Sequence, residues 1–182
     1  MKTTIWEAIQ WSGIEHLSSY EQDGERVVTG VVTGIVREQP FAIQYDISLT
    51  ADWKVSWFNL QSLGSDGKHL RLVSDLNGHW FDKDGTHVAA FDACMDIDIS
   101  LTPFTNTLPI RRLALEKEVR TPISVIYIRL PEFELQQVEQ FYTLLPSGRY
   151  LYEQPAIDFH AELPVDEEGL VTDYPGLFKR LL

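Results

Sequence analysis

The 182-residue chain is short of cysteine, of positive charge and of long apolar runs, and each shortage excludes something. A single cysteine, Cys94, cannot close an internal disulfide, so the core must hold the fold. No stretch approaches the ~18 consecutive apolar residues of a membrane-spanning helix. Within the first twenty residues stand Trp6, Glu7, Gln10, Trp11 and Glu15, where a secretory leader needs unbroken apolar sequence. With the lone thiol, this reads as a reducing, cytoplasmic setting. Fifteen Lys and Arg against 27 Asp and Glu give a formal charge of -12, which repels phosphate backbones and anionic bilayers and argues against a nucleic-acid partner. A glycine-rich phosphate loop, a Gly-x-Ser-x-Gly elbow and a His-Glu-x-x-His pair are also missing. At roughly 150 residues per domain, the length suits one domain over residues 1–182, large enough to bury about 70% of its unfolded surface.

What the sequence has is alternation. Phe41, Ile43, Tyr45, Ile47 and Leu49 face one way, and Ala42, Gln44, Asp46 and Ser48 the other. The pattern returns at Leu70, Leu72 and Leu76, at Met95, Ile97, Ile99 and Leu101, and at Ile157, Phe159, Ala161, Leu163 and Val165. One dry and one wet face predicts antiparallel strands. Between the runs fall Asp23-Gly24, Ser65-Asp66-Gly67, Asn77-Gly78, Asp84-Gly85, Ser147-Gly148 and Glu168-Gly169, which supply the positive φ that tight turns need. Gly30 and Gly34, inside the β-branched run Val27–Val36, mark bends or close approach of another group. Residues 132–145 fit a helix or a strand, with strand favoured by the turn signals around them. Residues 113–119 suit a turn or two of helix, and 176–182 a short terminal one. The resulting fold class is mainly β: a single-domain, many-stranded antiparallel sheet, curved or rolled toward a partly open barrel, with few short helices.

Asp96 and Asp98 share one face of a strand, roughly 7 Å apart at about 3.3 Å per residue. That separation suits an inverting glycosidase, which wants about 6.5–9.5 Å, although alternating Asp is also what any solvated strand face carries. The five histidines show no close pairing in sequence, so neither a metal nor another cofactor is expected. Cys94, between Ala93 and Met95, reads as a small buried hydrophobe. Thr105, Asn106 and Thr107 suit the cap of a short helix or a tight loop. Arg111 and Arg112 offer planar donors either to an anionic head group or to neighbouring Asp residues. Tyr45, Trp57 and Tyr142, aromatic and within alternating strands, are the rings best placed to line a ligand site.

These residues resemble a bacterial family described as "putative glycolipid-binding", formerly a domain of unknown function. The resemblance rests on Gly13-Ile14-Glu15-His16, Gly30 through Gly34, Tyr45, Trp53 and the run from Asp92 to Arg112. It continues through Tyr142, Tyr150-Leu151-Tyr152-Glu153 and Val171 to Phe178. It implies a many-stranded antiparallel fold similar to the periplasmic lipoprotein carriers, with an apolar cavity in a curved sheet, and it brings no catalytic residues. The expected function is lipid or glycolipid binding, with Tyr45 and its alternating neighbours holding an acyl chain. Glu15, His16, Asn106, Arg111 and Arg112 would then hold the polar head. The competing expectation is an enzyme acting on a small or glycosylated substrate through Asp96 and Asp98, or through Glu15 and His16.

Overall fold

A computed structural model describes residues 2–22 and 24–182, so Asp23 of the first turn signal lies outside the described residues. The strands are β1 (Lys2–Ala8), β2 (Ser12–Gln22), β3 (Glu25–Val36), β4 (Gln39–Leu49), β5 (Val55–Ser62), β6 (His69–Ser74) and β7 (Trp80–Phe81). They are followed by β8 (Asp96–Ile99), β9 (Thr121–Arg129), β10 (Glu134–Leu144), β11 (Tyr150–Gln154), β12 (Phe159–Leu163), β13 (Asp173–Tyr174) and β14 (Phe178–Arg180). One short helix, α1 (Thr107–Arg112), interrupts them. Nine strands form one open sheet in the order β13-β14-β1-β2-β3-β4-β5-β6-β7, and five form a second in the order β12-β11-β10-β9-β8. The fold is mainly β, as the alternation predicts, and neither sheet closes into a barrel.

Turn chemistry places the hairpins. Gly24, Gly67, Gly78, Gly85, Gly148 and Gly169 all take positive φ, the conformation that favours glycine. Residues 134–144 form strand β10, paired with β9 and β11, so period two prevails over the helical reading there.

Three expectations fail for physical reasons. β8 pairs with β9 in parallel rather than antiparallel, because the chain leaves β8 through a 3-10 turn at Phe104–Asn106 and α1, and parallel neighbours need such a crossover. The helix of this region is α1, not residues 113–119. Residues 176–182 carry strand β14 instead of a helix, since Phe178 is buried beside Ala8 of β1 and Gly176, at φ +74°, turns the chain back from β13.

The core lies between the sheets. Trp6 and Trp80 are fully buried, and each satisfies its indole N–H: Trp6 Nε1 donates to the Val171 carbonyl and Trp80 Nε1 to that of Cys94, both at 2.8 Å. On β4 the inward residues Ile43, Tyr45, Ile47 and Leu49 are also fully packed. The acyl-chain hollow expected along Tyr45 is therefore filled by the protein's own side chains. Gly30 pairs with Tyr45 across β3 and β4, and a Cβ there would stand 2.1 Å from the phenol ring. Close approach, not a bend, is what Gly30 provides.

Candidate functional site

Open space survives where β8, β9, β11 and β12 of the smaller sheet meet β13, β14 and the turn before α1. The cavity there measures about 360 Å³. The face of β8 that carries Asp96 and Asp98 turns inward, so the solvated-face reading of these two residues is corrected: Asp96 is fully buried, while Asp98 is partly accessible and borders the cavity. Asp98 Oδ2 accepts from Gln140 Nε2 at 2.6 Å and Oδ1 from the Thr105 hydroxyl at 3.1 Å. Burial raises its pKa above the usual carboxylate range, and the bonds from Gln140, Thr105 and Tyr152 pull it back. Asn106 also borders the cavity; its Oδ1 accepts from the Tyr142 hydroxyl at 2.8 Å and its Nδ2 donates to the Pro103 carbonyl. The opposite wall is aromatic. Tyr152 lies 6.0 Å from Phe159 and 6.4 Å from Tyr174 between ring centroids, and Tyr174 lies 6.2 Å from Phe178.

Glu15 and Tyr45 do come together, in a buried cluster behind the cavity. Glu15 Oε1 accepts from the Tyr45 hydroxyl and, at 2.7 Å, from Thr102 Oγ1, and Thr102 reaches the cavity wall. Glu15 Oε2 has no partner among the described residues. Burial pushes this carboxyl from 4.5 up to about 8, against the lowering effect of the Tyr45 and Thr102 bonds. The folded chain thus holds the proton more tightly than the unfolded chain. The associated stability is complete below pH 4.5 and is lost as pH rises through about 8, with a slope of at most about 1.4 kcal/mol per pH unit. Glu15→Gln keeps an oxygen for both hydroxyls and removes the titration, so chemical denaturation between about pH 5 and about pH 8 should show a flatter stability profile than wild type. Parallel profiles would contradict the assignment.

The other expected site residues are dispersed. His16 points out of β2 on the face opposite Glu15 and is exposed, so the two cannot act as a pair. Trp57 lies on the outer face of β5, with the Arg71 guanidinium 4.5 Å from its ring. Arg111 is exposed and rests over Trp53. Arg112 is committed to Asp96, with Nε to Oδ1 at 3.0 Å and NH2 to Oδ2 at 2.6 Å. Asp96 and Asp98 thus have separate employment rather than acting as an acid and base across one substrate. Cys94 is buried, and its thiol is pushed up to about 11 by burial and by the charges of Asp96 and Asp92, which keeps it protonated and unreactive. The structure brings His79 and His87 within 5.7 Å, each bonded to its own carboxylate, Asp75 and Asp92. No group of three candidate metal ligands occurs among the described residues. Sequence reading passes over Gln140 and Phe178 as site residues and ranks Tyr152 and Tyr174 below Tyr45, Trp57 and Tyr142. One signal was present: Gln140 is a polar residue at an inward position between Val138 and Tyr142.

The fold is thus two β-sheets that fill their centre yet keep an aromatic and carboxylate-edged cavity at their junction. The chain belongs to the family described as "Putative glycolipid-binding", whose model matches residues 3–180. It is similar to a DUF1089 family protein from Pseudomonas aeruginosa, known by its crystal structure: 39% identity over 92% of both chains, with a TM-score of 0.81. No curated protein matches the sequence. No helix is long and apolar enough to cross a membrane among the described residues.

Proposed function

We propose that the protein is a binding or carrier module for a lipid or glycolipid-like molecule, taking the polar head into the cavity beside Asp98. The observation that carries this reading is the convergence of Asp98, Asn106 and Gln154 on a wall of Tyr152, Phe159 and Tyr174 within about 360 Å³. Small-molecule sites have this size and this mixture of aromatic surface with a few fixed polar groups. A carboxylate offers about four acceptor positions; Gln140, Thr105 and Tyr152 engage Asp98, leaving one acceptor position for a hydroxyl donor of a ligand. The family description supports a binding role of the same kind. The lone, buried Cys94 is consistent with a reducing, cytoplasmic setting for it.

The test is uptake of a fluorescent glycolipid by delipidated protein. His16→Ala and Trp57→Ala, on outer faces, are expected to bind within about twofold of wild type. Loss of binding in either would move the site off the cavity, and no uptake by wild type would overturn the reading.

A further inference from the structure

Gly13 and Gly34 face each other across β2 and β3, and the Trp11 indole lies over both. A Cβ at Gly13 would stand 1.9 Å from the ring, and one at Gly34 2.7 Å from it. Bare backbone thus seats the indole. Seated there, Trp11 touches two walls: its centroid is 6.3 Å from Phe178, which borders the Asp98 cavity, and 5.4 Å from Phe41. Phe41 and Gly34 border a second hollow, an open groove of about 630 Å³ between the ends of β3, β4 and β5 and the β9–β10 hairpin. Its apolar surface comes from Phe41, Leu63, Pro131 and Phe133, with Asp66, Lys68 and Glu132 at its charged edge, and Leu63 is 49% exposed. The hollows approach each other at a second point, where Ser100 of the cavity accepts the Leu130 N–H at 3.0 Å and Leu130 leads directly into Pro131 of the groove. Rings run without a break from Tyr152 through Tyr174, Phe178 and Trp11 to Phe41.

Resting on the binding function proposed above, we infer that the cavity and the groove are the two halves of one site joined over Trp11, and that the ligand is an amphiphile with a polyhydroxylated head free of anionic groups and an alkyl tail. The head goes to the cavity because Asp98, Asn106 and Gln154 converge there. It carries no anionic group because the cavity has no Lys, Arg or His in its lining and one acidic residue, so a phosphate or sulfate would be desolvated without a counter-charge. The tail goes to the groove because that hollow is the larger and exposes Leu63 beside the half-buried Phe41, Pro131 and Phe133.

The experiment is a titration of delipidated protein with alkyl glucosides of eight, ten and twelve carbons below their micelle concentrations, with dodecyl phosphate as the anionic comparison. Affinity should rise with chain length, with full burial setting a ceiling of about fourfold per methylene. Leu63→Asp, and separately Phe133→Asp, should flatten that rise. Phe133 already takes positive φ, which Asp tolerates, so the second variant guards against misfolding in the first. Dodecyl phosphate should bind at least tenfold more weakly than dodecyl glucoside. A chain-length series indifferent to both groove variants, in protein that Asp98→Asn still weakens, would overturn the joined site and leave head-group binding standing. Phosphate binding equal to glucoside would overturn the exclusion of an anionic head. Failure of every glucoside to bind would overturn the proposed function as well.

Discussion

Gly30→Ala is expected to destabilise the fold by about 3–5 kcal/mol, combining overpacking of a rigid site with disruption of a buried hydrogen bond. The added methyl would enter the Tyr45 ring, which is fully buried and tied to Glu15. Neither side can give way: β3 and β4 are paired along their whole lengths, and Tyr45 has Ile43 and Ile47 on the same packed face. The effect should depend on the ring. In a Tyr45→Leu background the same alanine is expected to cost little, because alanine is otherwise slightly better than glycine within a strand. Equal losses in both backgrounds, measured by urea denaturation, would show that Gly30 serves the backbone rather than the ring.

Arg112→Met is the second large effect, with an expected loss of about 3–5 kcal/mol, as for removal of one partner of a buried ion pair. Asp96 has no solvent to turn to, and Arg112 is its only hydrogen-bond partner among the described side chains. Burial already raises the Asp96 pKa and Arg112 opposes that shift. Without Arg112 the carboxyl takes up a proton more readily, so the gap between variant and wild type should narrow as pH falls. Adding Asp96→Val should restore much of the loss, since a packed apolar pair replaces a buried ionic one at small cost. A single variant as stable as wild type would mean that water reaches Asp96.

Much of the fold was legible because the alternation is clean where one sheet face is dry, as from Phe41 to Leu49, and because Asn-Gly and Asp-Gly mark hairpin corners. β8 was misread for the opposite reason. It is covered on both faces, Ile97 and Ile99 on one and Asp96 and Asp98 on the other, so its pattern imitates a half-exposed strand. The site was legible only in fragments. Glu15, Tyr45, Asn106 and Tyr142 lie at or behind the cavity, whereas His16, Trp57 and Arg111 face outward. Sequence spacing cannot report that the aromatic wall is assembled from β11 through β14, residues brought together only when the two sheets meet at their ends.

The binding claim is tested most directly by calorimetric titration of delipidated wild-type and Asp98→Asn protein with one neutral glycolipid. Replacing the carboxylate removes a charged acceptor from the head-group site, and a charge-assisted bond of about 1.5–3 kcal/mol corresponds to at least a tenfold loss of affinity. The account predicts saturable binding by wild type and that loss in the variant, with both proteins equally folded. Undiminished binding by Asp98→Asn would contradict it.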